Sequence, residues 1–161
     1  MPSKLQARQI RLVDVEEIPI AVFEHRGDPN LLGDSIRQFI EWRKQRHLPH
    51  GRHATFNILY DDPCEVAPSS YRFDLCVAID QAIEDNSFGI VSKTIPAGRC
   101  AVLRHVGSDD TLGQSVAYLY SEWLPQSGEE SRNFPVYLQR VCFFPDVPEH
   151  EAIVDIFLPI R

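Results

Sequence analysis

The chain has 161 residues, 43% hydrophobic and 24% charged, with a formal charge of −7. That length fits one domain with its own core, and the composition excludes a disordered tail. The acids are scattered and no basic run extends beyond Arg43-Lys44-Gln45-Arg46, so there is little electrostatic reason to hold a phosphate backbone. A negative surface weakly favours cationic ligands over anionic ones.

The N-terminal residues 1–9 are polar and no apolar run is long enough to cross a membrane. Cys64, Cys76, Cys100 and Cys142 form no C-x-x-C pair. Free thiols in a cytoplasmic protein are the expectation. In chain order, residues 18–25 read as a strand, broken by Gly27-Asp28-Pro29-Asn30, where Asp28 or Asn30 can cap a helix. Leu32, Ile36, Phe39 and Ile40 then fall on one helical stripe, ended by His47-Leu48-Pro49-His50-Gly51. Residues 55–60 form a strand, Asp61-Asp62-Pro63 a turn, and 73–79 a second strand. Residues 82–93 read as a linker.

The order then repeats. Ala21-Val22-Phe23-Glu24-His25-Arg26-Gly27 returns as Ala101-Val102-Leu103-Arg104-His105-Val106-Gly107, and Leu32-Gly33-Asp34-Ser35 as Leu112-Gly113-Gln114-Ser115. Residues 100–105 are a strand, followed by a helix with the stripe Leu112, Val116, Leu119, Tyr120 and Trp123, ended by Pro125 and Gly128. Residues 136–143 and 154–160 close the second copy as strands. One domain, 1–161, with modules at about 11–81 and 90–161, follows from this duplication.

The expected fold class is α+β: two strand–helix–strand–strand modules with antiparallel sheets and a cleft at the seam. Alternation puts Leu75, Val77 and Ile79 on one face, and Ile156, Leu158 and Ile160 likewise, under the helices. Asp74, Cys76 and Ala78, with Asp155 and Phe157, point the other way. That mixed face either lines a groove or is simply solvated.

Sequence patterns for chemistry are weak. His47, His50 and His53 cross a helix end with no second ligand cluster, and a solvated terminus explains them better than a metal. His25 and His105 read as structural side chains bonding backbone at the start of each turn. No G-x-S-x-G elbow or Gly-rich phosphate loop is present. The aromatics Tyr60, Trp123, Tyr137, Phe143, Phe144 and Phe157 gather in the elements that flank the seam, and such half-polar walls suit a small-molecule site.

Six segments in order resemble the gyrase-inhibitor-like effector-binding domain of AraC-type and multidrug-binding transcription regulators. They are Ile18-Pro19 leading to His25-Arg26-Gly27; Tyr60-Asp61-Asp62-Pro63; Phe73-Asp74-Leu75-Cys76-Val77; Ile95-Pro96-Ala97-Gly98 leading to His105-Val106-Gly107; Glu122-Trp123-Leu124-Pro125; and Asp155-Ile156-Phe157-Leu158-Pro159-Ile160. The resemblance spans about Arg11 to Arg161 and implies modules related by a pseudo-twofold axis. It also implies a hydrophobic, often cationic ligand held between them. Residues 1–10 are too short for the helix-turn-helix of the regulators, so a standalone sensor is implied. Many members carry a glutamate in the strand matching Pro135-Val136-Tyr137; here the match is Leu138, or Gln139 if the register slips.

The resulting expectation is non-catalytic binding of a hydrophobic or cationic small molecule, as a sensor or sequestering protein. The ligand-binding candidates are Asn57, Tyr60, Asp74, Trp123, Tyr137, Leu138, Gln139, Asp155 and Phe157, with Glu24 as a further acid for a cation. No catalytic residue, metal or cofactor is expected, nor direct contact with nucleic acid or membrane. A topoisomerase or separate DNA-binding protein is the alternative partner, and hydrolysis of reactive small molecules ranks third.

Overall fold

In chain order the strands are β1 (Ile10–Val15), β2 (Ile18–Arg26), β3 (Thr55–Leu59), β4 (Arg72–Ala78), β5 (Val91–Ile95), β6 (Gly98–Val106), β7 (Tyr137–Cys142) and β8 (Ile153–Pro159). The helices are α1 (Leu32–Gln45), α2 (Leu112–Tyr118) and α3 (Leu124–Ser127). These come from a computed structural model, which describes residues 10–143 and 146–161. The chain divides into two units, one of residues 17–96 and one combining the N-terminal segment through Glu16 with residues 97–161.

The fold is α+β, duplicated and antiparallel. In the unit of residues 17–96 the strands run β5–β2–β4–β3, and in the other β1–β6–β8–β7. Each repeat has one strand more than the expected strand–helix–strand–strand. The extra strand opens the repeat and pairs in the sheet of the other: β1 lies against β6, and β5 against β2. The linker expected at 82–93 therefore ends early, because Val91-Ser92-Lys93-Thr94-Ile95 is a strand. Polar side chains on a strand with one unpaired side mask the alternation that identifies buried strands.

In the first unit α1 covers one sheet face. Phe39 and Trp42 pack with Ala21, Phe73, Leu75 and Val77, while Tyr71 and Ile90 complete the core and Ile79 lies at its margin. The buried stripe of α1 is Ser35, Phe39 and Trp42, whereas Ile36 and Ile40 are 38% and 46% exposed. The expected stripe was rotated, and the cause is a polar bond. His25 Nδ1 meets Ser35 Oγ at 2.7 Å, and His25 Nε2 reaches the carbonyls of Gly27 and Asp28 at 3.1 and 3.0 Å. Carbonyls only accept, so Nε2 carries the proton and Nδ1 accepts from the serine hydroxyl. Ser35 must therefore face the sheet, which turns Ile36 and Ile40 about 100° and 140° away from it.

The second unit repeats this latch. His105 Nδ1 meets Ser115 Oγ at 2.9 Å, and His105 Nε2 reaches Ser108 O at 2.9 Å. The caps match too: Asp28 accepts from Asn30 N, and Ser108 from Asp110 N. The buried side of α2 is again set by serine, with Leu112, Ser115 and Tyr118, and Tyr120 is exposed. The helix does not stop at Pro125. A π-helical turn at Leu119–Trp123 separates α2 from α3, which runs through Pro125 to Ser127 and ends at Gly128 with φ +77°. Proline has no N–H for the carbonyl one turn back and crowds it; the wider turn takes up that misfit. Arg132 closes the unit, donating to the carbonyls of Ile160, Ala97 and Arg99 at 2.9, 3.2 and 3.0 Å. Gly98, at φ +148°, leaves room for it: a Cβ there would lie 2.6 Å from the guanidinium carbon.

Ser35→Ala removes the donor to a buried imidazole nitrogen and should cost about 1–3 kcal/mol in urea unfolding. A loss within about 0.5 kcal/mol, as at ordinary surface positions, would overturn the latch as the determinant of helix rotation.

Candidate functional site

On the sheet face away from α1, the register of β2 on β4 sets Glu24 opposite Asp74 and Arg26 opposite Arg72. Directly opposed residues share a face, and the pairing of β3 adds Ile58 opposite Asp74. Lys93 of β5, opposite Ile20, joins the same face. Ile20, Val22, Phe56, Ile58 and Cys76 on this side are all buried, so the face meets solvent at its charged end. Of the two readings of the mixed face, the simply solvated one is excluded, because Asp74 is 0% and Asp155 6% exposed.

A carboxylate that deep needs partners, since an unpaired buried charge is costly. Asp74 Oδ1 accepts from Arg26 Nη1 at 2.9 Å, and Oδ2 from Lys93 Nζ at 2.9 Å and the Tyr60 hydroxyl at 2.7 Å. Glu24 bonds the same two cations, Arg26 at 3.1 Å and Lys93 at 2.7 Å. Burial alone would lower the Lys93 pKa, but hydrogen bonds to Glu24 and Asp74 outweigh it and hold the ammonium well above its usual value. Burial, then the bond to Asp74, pushes the Tyr60 phenol up, with Lys93 offsetting part of the rise. The Tyr60 ring lies under three cations, Arg72, Arg26 and Lys93, at 5.2, 5.4 and 5.7 Å from its centroid. Arg72 is held in turn by Asp61, which accepts its backbone N at 2.9 Å and its side chain at 3.0 and 3.1 Å. Asp61-Asp62 thus fastens the loop entering β4, as expected of a turn; Asp62 also accepts from Cys64 N at 2.8 Å.

The other unit places Asp155 opposite both Arg104 and Gln139. Arg104 grips it in two-point fashion at 2.8 and 3.1 Å, and Arg11 lies 3.9 Å away. On the same face Tyr137 stacks on Phe157, centroids 4.9 Å apart and planes 3° from parallel, with Phe134 edge-on. The Tyr137 hydroxyl meets Cys100 Sγ at 3.6 Å, and burial pushes its phenol far up.

The structure thus joins Tyr60 to Asp74, and Tyr137 to Phe157, with Gln139 beside Asp155. Two candidates lie elsewhere. Asn57 sits opposite Leu75, on the row facing α1, and donates to the Asp74 backbone carbonyl at 3.4 Å. Leu138 sits opposite Ile156, on the row that continues to Leu103 and His105 and hence faces the helix side, and it is fully buried. The period of two decides this: with Asp155 on one face, its partner Gln139 shares that face and Leu138 cannot. Trp123 is half-buried at the end of the π-helical turn. Phe144 lies outside the described residues. Arg26, Arg72, Lys93 and Arg104 were missed. Alternation from Glu24 would have found Arg26, but Lys93 fell in the presumed linker. Among the described residues no cluster of His, Cys, Asp or Glu is placed to hold a metal ion, and no helix is long and apolar enough to cross a membrane.

The GyrI-like small-molecule-binding domain matches residues 8–161, and the chain belongs to that family. It is 36% identical over 152 residues to the probable transcriptional regulator YgiV of Escherichia coli (strain K12), covering 94% of this chain and 95% of that one. It is 32% identical over 104 residues to the DNA gyrase inhibitor of Serratia proteamaculans (strain 568), covering 62% and 65%. The fold is shared with the EcmrR C-terminal domain, at TM-score 0.77 and 17% identity, covering 96% and 98%. It is shared also with SAV2435, solved bound to tetraphenylphosphonium, at TM-score 0.55 and 12% identity, covering 95% and 94%.

Tyr60, Tyr71 and Tyr137 all have phenols raised above 10.0, with burial the leading cause. The native chain then keeps protons that the unfolded chain loses, so stability is full below about pH 10 and falls as pH rises beyond it. Phenolate absorbance from these three of the five tyrosines should therefore appear together with loss of near-ultraviolet circular dichroism. Titration of all five near pH 10 with the dichroism intact would contradict the packing described.

Proposed function

We propose that this chain binds a hydrophobic small molecule against the charged end of the sheet face carrying Tyr60, and holds it without chemistry, as a sensor or sequestering protein. The observation that carries the reading is the state of Asp74: its two oxygens already receive Arg26, Lys93 and Tyr60, and the side chain is fully buried beneath them. A general base needs a lone pair within reach of a substrate proton. Glu24 and Asp155 are engaged by cations in the same way. What remains is a surface of ring and charge edges that suits holding a ligand. The relatives described as transcriptional regulators agree with a sensing role.

A protein-binding role draws on a different observation, the exposed Ile36 and Ile40 on α1, together with the relative named as a gyrase inhibitor. Recovery of purified gyrase on immobilised protein, lost in an Ile36→Ser/Ile40→Ser variant, would favour it over the small-molecule reading.

The test is a thermal-shift panel of neutral aromatics and lipophilic ions. A ligand at 100 times its Kd adds about 2.7 kcal/mol to the native state. For a chain of this size that raises Tm by roughly 5–10 °C. Tyr60→Leu should reduce the shift by removing ring and hydroxyl together. A flat response across the panel would count against the proposal.

A further inference from the structure

We infer that Arg26 and Arg72 form an oxyanion-binding pair, so that the ligand of this chain is an apolar molecule bearing a carboxylate or phosphate rather than a cation. The inference rests on the small-molecule reading and names the charge of its ligand. The two arginines are directly opposed across β2 and β4. Opposed residues hold their Cβ atoms about 4.5–5.5 Å apart on one face, and like charges so placed repel. Acids beneath hold the pair in place. Arg26 spends its Nη1 on His25 O and Asp74 and its Nη2 on Glu24, and Arg72 spends Nε and Nη2 on Asp61. A guanidinium has five N–H donors. Among the described residues Arg26 therefore keeps two unspent and Arg72 three, on side chains 39% and 52% exposed. Both stand over the Tyr60 ring, which offers an apolar surface beside the charge.

The acids are on the wrong side for a cation. Asp74 is fully buried and Asp61 has 10% of its side chain exposed, both under the arginines that they bind. Glu24, the more exposed acid of the cluster, is bonded to both Arg26 and Lys93. A cationic ligand would have to displace a tethered guanidinium or ammonium from a carboxylate and leave that group without its partner. An oxyanion displaces nothing: it adds charge-assisted bonds to unspent donors, and guanidinium suits two-point recognition of carboxylate and phosphate.

The experiment is calorimetric titration of the protein with one skeleton in four forms: 2-naphthoate, 2-naphthyl phosphate, 2-naphthamide and 2-naphthylmethylammonium. At least one oxyanion should bind about tenfold or more tighter than the amide, as befits a charged hydrogen bond, and the ammonium should bind weakest. The tighter of the two oxyanions identifies the headgroup. Arg72→Gln should abolish the preference over the amide, while Asp61→Asn, which removes the competing charge and keeps an acceptor, should increase it. The two variants move affinity in opposite directions, so loss of folding cannot mimic the result. Binding of the ammonium as tight as either oxyanion, or an oxyanion-to-amide ratio unchanged in Arg72→Gln, would overturn the inference. If all four probes fail while other hydrophobic compounds shift Tm, the oxyanion assignment falls and the small-molecule reading stands. If the whole thermal-shift panel is flat as well, both fall.

Discussion

Asp74 is the fixed point around which the first unit is arranged. Burying a carboxylate in a sheet costs several kcal/mol unless cations and donors are in place as the strands pair. Those partners come from different stretches of chain: Arg26 from β2, Lys93 from β5 and Tyr60 from the end of β3. Only one register satisfies them all. A slip of β4 by one residue would turn Asp74 into the apolar layer under α1 and bring Leu75 out of it. Buried ion pairs often add little net stability, and their best-attested use is to specify one arrangement over its neighbours. That use fits here, because β5 carries few apolar side chains and the Lys93 bonds to Glu24 and Asp74 help to fix it beside β2.

The duplication separates what holds the fold from what distinguishes the two units. The latch survives in both copies, as His25 with Ser35 and His105 with Ser115, down to the backbone carbonyls bonded by Nε2. Each latch ties a strand end, a turn and a helix through one imidazole, so either partner is hard to exchange alone. The opposite face has diverged. Each copy buries an aspartate at its closing strand, but position 24 is glutamate where position 104 is arginine. The second copy neutralises Asp155 directly across the strand pair with Arg104. The first copy sets two acids side by side and must import Arg26 and Lys93 to balance them. The first solution leaves unspent donors around an aromatic ring.

Much of this was legible in the sequence. The duplication gave the α+β class and the order of the principal elements, because aligned residues with equal turn signals have few ways to fold differently. Alternation placed Asp74, Asp155 and Phe157 on faces away from the helices. What was not legible follows from three physical causes. Hydrophobicity favoured Ile36 and Ile40 over Ser35 as the inner stripe, although the serine repeats with the histidine and a polar latch outranks two isoleucines. β1 and β5 lack a clean apolar alternation, which hid Lys93. Asn57 was chosen by residue type and Leu138 by its match to a glutamate of the resembling family, whereas a pleated strand sorts side chains by parity. Parity places Gln139, not Leu138, beside Asp155.

Net charge was the least informative quantity for the site. A formal charge of −7 favours cations at long range, yet a bound ligand senses the few groups that it touches. In the Tyr60 cluster three acids and three cations cancel, so the sum is silent about ligand charge. Depth decides instead. Two of the acids lie beneath their partners, and the guanidiniums of Arg26 and Arg72 are the ends that meet water. Salt screens the long-range field within about 8–10 Å, but contact between a desolvated headgroup and a guanidinium is screened much less. The charge that a protein presents at a site is thus set by which end of each ion pair the strand register turns outward, and that register depends here on Asp74.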